Sequence, residues 1–261
     1  MLSSLVVDLQ LAGQVALVSG ASRGIGHAIA LGLAAEGVAV ALLARGEADL
    51  RQAAAAITRR GGRALPIVAD VTRPADLERA VTTTVQELGG LDVLVVNAGG
   101  ARHLPATTAS DADWQDGLDR NLLHAARLAR LAYPHLRQRP GRLIIVASIW
   151  GREKGGSVIY NAVKAAEIAL AGTLAREWAR DGIGVVALCP GSVLFPGGSW
   201  ARRQEEDPTG IAAFVEREIP AGRFGTPDEI ADVAVFLASP RARWVTGAAI
   251  PVDGGQSRSL I

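Results

Sequence analysis

Short apolar runs alternate along the chain with longer stretches in which apolar residues recur every three or four positions. The first such pair is the run from Val15 to Val18 and the helical pattern of Ile25, Ile29 and Leu33 behind it. Short apolar runs favour buried parallel strands, and the longer stretches favour amphipathic helices. The alternation predicts an α/β fold: a doubly wound, mostly parallel sheet with helices on both faces. The predicted strands, some with the turn that follows, are residues 15–18, 38–45, 64–72, 91–100, 142–148, 183–191 and 246–255.

The longest helical pattern, residues 110–136, carries Leu118, Leu122 and Leu128 on one face and has Asn121 inside it. Asparagine is unfavourable in the middle of a helix because its side chain competes for the backbone. On the residues alone, Asn121 is interpreted as a surface residue. A later helix is predicted to begin with Thr226 as its N-cap and Pro227 in its first position.

Length, composition and charge limit the domain organisation and the classes of ligand. The 261 residues are 49% hydrophobic and 20% charged, which fits one large α/β domain with a sizeable core. No linker interrupts the chain, so we expect a single domain over residues 1–261. The formal net charge of +1 implies no bulk attraction to nucleic acid or to membranes. The four histidines, His27, His103, His124 and His135, are scattered and predict no metal site.

Cysteine usage and apolar run lengths bear on location. Cys189 is the only cysteine, which excludes a disulfide within the chain and suits a reducing compartment. It lies in the run VVALC and is expected to be a buried strand residue. No apolar run reaches the ~20 residues that a membrane-spanning helix needs. The first residues, MLSSLVVDLQLAG, lack a basic region and contain Asp8, so no signal peptide is predicted and the cytoplasm is favoured.

A glycine-rich turn follows the first predicted strand. Gly20, Gly24 and Gly26 lie between that strand and the helix behind it. In this order the glycines let the backbone approach a ligand, and the helix start offers free N–H groups to a pyrophosphate. The alternative is a turn that only connects two elements.

A second candidate site lies in the middle of the chain. Tyr160 and Lys164 are four residues apart on a predicted helix, so their side chains share one face. The ammonium stabilises a phenolate, and a tyrosine placed in this way can act as a general acid or base. Ser148 ends an apolar run and would present its hydroxyl at the same site. The alternative is a surface tyrosine and lysine that share a helix by chance.

Together these motifs resemble those of the short-chain dehydrogenase/reductase family. S-G-A-S-R-G-I-G from Ser19 resembles the family's cofactor loop, and Tyr160-x-x-x-Lys164 with Ser148 resembles its catalytic motif. The resemblance runs from about Leu11 to Gly255 and is to members like 3-oxoacyl-acyl-carrier-protein reductases. It implies a Rossmann-type fold and an NAD(P)H-dependent oxidoreductase that reduces a carbonyl group, or reversibly oxidises a secondary alcohol.

The resemblance also implies a catalytic tetrad of Asn121, Ser148, Tyr160 and Lys164. In the family, Tyr160 is the general acid/base, Lys164 assists it and holds the nicotinamide ribose, and Ser148 binds the carbonyl oxygen. Asn121 bends its helix and holds a water in a proton relay to the lysine.

Cofactor residues are implied by position in the family's motifs. Asp70-Val71 resembles an adenine-contacting pair, although Asp70 could equally be a helix cap or turn residue. Asn97-Ala98-Gly99 resembles an element that braces the sheet, and Pro190-Gly191 one beside the nicotinamide. The whole expected set is Gly20, Ser22, Arg23, Gly24, Ile25, Gly26, Arg45, Asp70, Val71, Asn97, Ala98, Gly99, Tyr160, Lys164, Pro190, Gly191 and Val193.

The choice between the two cofactors depends on two arginines. NAD-binding folds place an acid after the second strand, whereas an arginine there accommodates a 2′-phosphate. Here Arg45 ends that strand, and Arg23 lies in the glycine loop. Guanidinium groups suit phosphate. NADP(H) is therefore expected to be preferred, with NAD(H) as the alternative; two solvated surface arginines would explain the same pattern.

The chain departs from the family where a threonine usually follows the Pro-Gly motif. Phe195 takes that place, and Ser192 is a candidate to replace the lost contact. Residues at about 192–222, with Trp200 and Phe214, correspond to the family's substrate lid; a packed surface helix is the alternative. A pocket lined by Ile149, Trp150, Phe195 and the lid aromatics would suit a 3-oxoacyl thioester or another apolar ketone.

The expected partners are a small carbonyl or alcohol substrate and further copies of the chain, as a homotetramer or homodimer. Two alternative functions stay open. One is a non-catalytic dinucleotide sensor or scaffold on the same fold, which would not need the Tyr160–Lys164 pair. The other is an NAD-dependent alcohol dehydrogenase, against which Arg23 and Arg45 argue.

Overall fold

The sheet has seven strands, and every neighbouring pair is parallel. The computed structural model describes residues 7–100 and 102–260. The strand order is β3-β2-β1-β4-β5-β6-β7, which confirms the predicted doubly wound, parallel α/β fold of Rossmann type. The strands are β1 Val15–Ser19, β2 Ala39–Ala44, β3 Ala64–Val68, β4 Val93–Val96, β5 Arg142–Val146, β6 Gly184–Pro190 and β7 Ala249–Val252.

Helices cover both faces of the sheet, as predicted. Apolar residues of α1, α2 and α9 form the core on one face, and those of α3, α5 and α6 form the core on the other. The helices are α1 Gly24–Ala35, α2 Glu47–Thr58, α3 Pro74–Leu88, α4 Asp111–Leu118, α5 His124–Leu136, α6 Val158–Trp178, α7 Ser199–Glu206, α8 Pro208–Glu218 and α9 Pro227–Ala238.

The strand interiors are apolar because both sides of the sheet are covered. All residues of β1, β4, β5 and β6 are buried. Cys189 is a buried residue of β6 with a free thiol, as predicted, and burial raises its pKa to about 11.

One predicted helix is interrupted. Residues 110–136 form α4 and α5, with a π-helical turn, Asp119–Leu123, between them. The predicted third strand is also shorter, because residues 69–72 leave the sheet as a turn. Residues 195–222, where the sheet pattern breaks, contain α7 and α8. The start of α9 is as predicted: the Thr226 hydroxyl accepts a hydrogen bond from Glu229 N–H, and Pro227 is the first helical residue.

Helix α6, extended by the 3-10 turn Ala179–Asp181, is long and apolar enough by length and composition to cross a membrane. It packs on β6, and core helices of soluble proteins have the same length and composition. The expectation about an N-terminal signal peptide concerns in part residues 1–6, which lie outside the described residues.

Parallel pairing places all carboxyl ends of the strands at one edge of the sheet. β1 pairs with β2 on one side and with β4 on the other, so the order in which strands are added to the sheet reverses between β1 and β4. Ligands of doubly wound sheets bind in the crevice outside such a switch point. The turns that carry the predicted motifs follow β1, β4, β5 and β6, and they meet at this edge.

Candidate active site

A cleft of about 630 Å³ opens at the carboxyl edge of the sheet. Sixteen of the residues predicted for catalysis or cofactor binding line it, and they come from the turns after six strands, the end of β6, the start of α1 and the first turns of α6. They are Gly20, Ser22, Arg23, Ile25, Arg45, Asp70, Val71, Asn97, Ala98, Gly99, Ser148, Tyr160, Lys164, Pro190, Gly191 and Val193.

Three predicted residues lie outside the cleft wall: Gly24, Gly26 and Asn121. Gly26 lies beneath the glycine turn, where an added Cβ would come within 2.4 Å of both Gly20 O and Asn97 Nδ2. Its role is therefore to let α1 approach the turn closely. Gly24 lies under the ring of Phe195, which an added Cβ would meet at 2.7 Å.

Hydrogen bonds between β1 and β4 fix the glycine turn. The Ser19 hydroxyl accepts hydrogen bonds from Asn97 N–H at 2.9 Å and from Ala98 N–H at 3.1 Å. The Asn97 amide donates to the carbonyls of Ser19 and Gly20 at 3.0 and 3.2 Å. Asn97 thus braces the sheet at the cleft, and Ser19 supplies the hydroxyl that receives the two backbone N–H groups.

Arg23 and Arg45 are both exposed at the rim of the cleft. Arg45 follows β2, and Arg23 Nη1 donates to Gly197 O at 3.3 Å. Within the described residues neither guanidinium forms an ion pair. Both charges are available to an anionic ligand.

Asp70 is a turn residue of the cleft and does not cap α3. Its carboxylate accepts hydrogen bonds from Thr72 N–H at 2.9 Å and from the Thr72 hydroxyl at 2.8 Å. Partial burial opposes its ionisation, but these two bonds, with Arg45 and Arg120 nearby, hold its pKa below the ordinary value. The N-cap of α3 is Arg73.

Arg120, which sequence reasoning missed, also lines the cleft, and it pairs with Asp116 at 2.6 Å. Its only signal in the sequence is its position next to Asn121.

The predicted catalytic pair, Tyr160 and Lys164, lies on the first turns of α6. The Ser157 hydroxyl caps this helix by accepting from Tyr160 N–H at 3.4 Å. Lys164 Nζ is 5.6 Å from the centroid of the Tyr160 ring, so the two groups share one face as predicted. Ser148 lies beyond the end of β5, and its hydroxyl accepts from Trp150 N–H at 3.1 Å. All three side chains border the cleft.

Lys164 has a buried partner that sequence reasoning missed. Its Nζ donates to Glu167 Oε2 at 2.8 Å and to Val146 O at 3.0 Å. Burial alone would lower the pKa of Lys164, but the Glu167 carboxylate and Tyr160 raise it, so the ammonium stays charged. The only sequence signal for Glu167 is an acid in the apolar run that follows the lysine.

Asn121 is fully buried in the π-helical turn, contrary to its interpretation as a surface residue. Its amide donates to Gly100 O at 2.9 Å and Gly117 O at 2.7 Å, and its Oδ1 accepts from Gly100 N–H at 3.0 Å. It lies close behind the cleft wall, because a Cβ added at Gly99 would meet both Asn121 Oδ1 and Lys164 Nζ within 3.3 Å.

Predictions made for the substrate side are partly wrong. Ser192 is buried and exchanges hydrogen bonds with Gln256, so it does not reach the cleft in place of the missing threonine. Ile149 is buried, and neither it nor Trp150 lines the cleft. Both residues belong to a 3-10 turn, Ile149–Gly151. Phe195 does line the cleft, as predicted.

An aromatic cluster supports the outer wall of the cleft. Trp200, on α7, lines the cleft and stacks on Phe214 of α8, with ring centroids 4.7 Å apart. Phe224 contacts the same tryptophan at 5.2 Å. The amphipathic piece predicted over residues 195–222 thus turns aromatic side chains towards the cleft.

A family model and several known proteins match nearly the whole chain. The family model described as Enoyl-(Acyl carrier protein) reductase matches residues 20–257. Short-chain reductase protein NovJ of Streptomyces niveus is 40% identical over 244 residues, 93% of this chain and 93% of that protein. 3-oxoacyl-(acyl-carrier-protein) reductase FabG of Escherichia coli (strain K12) is 37% identical over 247 residues, 93% of this chain and 97% of that protein.

A solved structure is similar over nearly the whole chain. The L-sorbose reductase from Gluconobacter frateurii, crystallised with NADPH and L-sorbose, superposes with a TM-score of 0.92 at 35% identity. The match covers 97% of this chain and 100% of that one.

Proposed function

We propose that this chain, which belongs to the short-chain dehydrogenase/reductase family of NAD(P)-dependent oxidoreductases, reduces a carbonyl group with NADPH and uses Tyr160 as the proton donor. The observation that carries the proposal is the convergence, in one cleft, of the glycine turn after β1 with Ser148, Tyr160 and Lys164.

The residues of the cleft fit a dinucleotide. The start of α1 lies directly behind the glycine turn, and its free N–H groups and positive dipole end suit a pyrophosphate. Asp70 and Val71 line the cleft and would contact the adenine, and Pro190, Gly191 and Val193, which also line it, would hold the nicotinamide. When bound, NADPH supplies the hydride for the carbonyl carbon.

Proton transfer falls to side chains of the chain itself. The Tyr160 hydroxyl gives its proton to the substrate oxygen as negative charge develops there, and the Lys164 ammonium stabilises the phenolate that remains. The Ser148 hydroxyl donates a hydrogen bond to the same oxygen. Asn121, in its π-helical turn behind Lys164, completes a water relay that returns a proton to Tyr160.

The cofactor preference rests on Arg45, with support from Arg23. Arg45→Ala should weaken NADPH binding about tenfold or more, because a charge-assisted hydrogen bond to the 2′-phosphate is lost. NADH binding should change less than about twofold. Tryptophan fluorescence, to which Trp200 in the cleft contributes, measures both dissociation constants.

Arg51→Ala is the matched control, because Arg51 lies on α2, pairs with Glu47 and does not line the cleft. Equal losses of NADPH and NADH affinity in Arg45→Ala would show that Arg45 does not select the 2′-phosphate.

We propose an apolar or acyl-bearing ketone, such as a 3-oxoacyl thioester, as the substrate. Phe195 and Trp200 give the cleft apolar surface, and the similarity to FabG favours the same class. The sugar ketone named for the sorbose reductase is the polar counterpart to test beside it. Helices α7 and α8 would cover the bound substrate and exclude water.

The proposal is tested by titrating the protein with NADPH and NADH and then following NADPH oxidation with a short 3-oxoacyl thioester, an apolar ketone and L-sorbose. Tighter NADPH binding and turnover of the first two substrates are expected. Tighter NADH binding with oxidation of secondary alcohols would favour the alcohol dehydrogenase instead. Tight dinucleotide binding without turnover of any carbonyl or alcohol would favour the sensor. We further propose that the chain forms a homotetramer or homodimer in the cytoplasm. Sedimentation of the purified chain tests the oligomeric state.

A further inference from the structure

Behind the cleft, α6 carries a buried acid–base pair, which we call the Lys164–Glu167 pair. The ammonium and the carboxylate are 2.8 Å apart, and the two residues are 2% and 1% exposed. Burying a carboxylate is costly, and a buried pair is not by itself a source of stability. Only Lys164 has a part in the proposed mechanism, so the acid needs its own explanation.

Hydrogen bonds fix the orientation of the Lys164 ammonium. An ammonium has three N–H donors. Two of them are taken by Glu167 and by the Val146 carbonyl at the end of β5. Lys164 also borders the cleft, so one donor is left for that side. Two fixed bonds therefore hold Nζ where it can act on Tyr160.

We propose that Glu167 is a positioning residue: its carboxylate holds the buried Lys164 ammonium in place and keeps it charged, so that the positive charge acts on Tyr160. The inference rests on the proposed function, which gives Tyr160 and Lys164 their roles. A phenolate is stabilised by a nearby positive charge and opposed by a negative one. A buried lysine without an acidic partner tends to lose its proton, and with it the charge that stabilises the phenolate.

Two other titratable groups face the pair from neighbouring elements, His124 on α5 and Cys189 on β6, with Arg152 beside Cys189. Burial and the Lys164 charge lower the pKa of His124 to about 3, although the Arg120 and Asn121 carbonyls favour its protonated form. Neither ring nitrogen has a hydrogen-bond partner of standard geometry in the described part of the chain.

His124 is therefore neutral around pH 7, and so is Cys189, whose pKa burial raises to about 11. In the described structure Glu167 is the group that balances the charge of Lys164.

The chain allows a direct test because it has two tyrosines, Tyr133 and Tyr160. In a Tyr133→Phe background, the ultraviolet absorbance of tyrosinate reports Tyr160 alone. Glu167→Gln keeps the size of the side chain and an oxygen acceptor but removes the charge. Without the carboxylate, burial lowers the pKa of Lys164 and the phenolate loses its positive neighbour, so the midpoint of the tyrosinate titration should rise by about one pH unit.

Two further variants in the same background separate charge from packing. Glu167→Asp keeps the charge on a shorter arm, so its midpoint should lie between those of the parent and Glu167→Gln. Asp92→Asn removes another buried carboxylate, which accepts from Val15 N–H at the opposite edge of the sheet, and should leave the midpoint unchanged. Tryptophan fluorescence checks that each chain is folded.

A midpoint that does not rise in Glu167→Gln overturns the proposal, and so does a shift in Glu167→Asp at least as large as that in Glu167→Gln. If Glu167→Gln does not fold, Glu167→Asp carries the test, and an unchanged midpoint there overturns the proposal. The titration uses no substrate. An enzyme assay without turnover would therefore contradict the proposed function, whereas an unshifted titration would contradict only the role of Glu167.

Discussion

Replacing Tyr160 with phenylalanine is expected to remove carbonyl reduction while NADPH binding stays nearly intact. The variant lacks only the hydroxyl that gives its proton to the substrate oxygen, and loss of a general acid typically lowers the rate about a hundred- to ten-thousandfold. The ring still packs beside Lys164, so the cleft keeps its shape. NADPH oxidation measures turnover, and tryptophan fluorescence measures binding.

Tyr133→Phe is the matched control, because it makes the same chemical change on α5. The Tyr133 hydroxyl donates to Asp181 at 2.9 Å and does not border the cleft. Its loss should leave turnover unchanged. Near-normal turnover in Tyr160→Phe would contradict the assignment of the general acid.

Replacing Lys164 with methionine is expected to reduce both turnover and stability. Turnover falls because the phenolate of Tyr160 loses its positive neighbour. Stability falls because Glu167 is left as a buried carboxylate without a partner, a loss of about 3–5 kcal/mol in the free energy of unfolding when such pairs are broken. Urea unfolding measures the second effect in the absence of any substrate.

The instability of Lys164→Met should depend on pH in a defined direction. Burial already raises the pKa of Glu167 despite its contact with Lys164, and removal of the ammonium raises it further. A carboxyl whose folded pKa exceeds its unfolded value, near ~4.3, makes the fold less stable as pH rises from that value through the folded pKa. The loss relative to the parent chain should therefore be smallest near about pH 4 and grow towards neutrality.

Lys154→Met serves as the control, because Lys154 is exposed and is the other lysine of the chain. It should unfold like the parent chain at every pH. A Lys164→Met chain as stable as the parent at neutral pH would show that Glu167 is not held as a charged group.

The parts of the fold that could be predicted are those with local causes. Buried parallel strands are continuous apolar runs, and β1, β4, β5 and β6 are fully buried. The glycine turn follows from spacing, since Gly20, Gly24 and Gly26 stand between a strand and a helix. Strand ends at one edge then follow from parallel topology, which brought most of the predicted site together.

What could not be predicted depends on contacts between distant segments. A helical period continues through the π-helical turn at Asn121, so the apolar pattern does not mark the break, although the resemblance implied a bend at this residue. Ser192 turns away from the cleft because Gln256, far along the chain, accepts from its backbone and donates to its hydroxyl. In the sequence, Glu167 is only an acid in an apolar run. Its role beside Lys164 becomes visible when the fold places the end of β5 next to that lysine. Each of these outcomes needs the tertiary structure.

The two ends of the fold share one core, and this has a consequence for synthesis. Ile29 and Leu33 of α1 are buried in the same cluster as Ile230 and Val235 of α9, and Gly32 lets the two helices approach closely. A ribosome releases α1 long before α9, so the part of the first helix that packs on α9 has no partner until nearly the whole chain has emerged. Contacts so distant in sequence form slowly. The nascent chain is therefore expected to expose apolar surface on α1 until α9 is synthesised, and such surface favours aggregation.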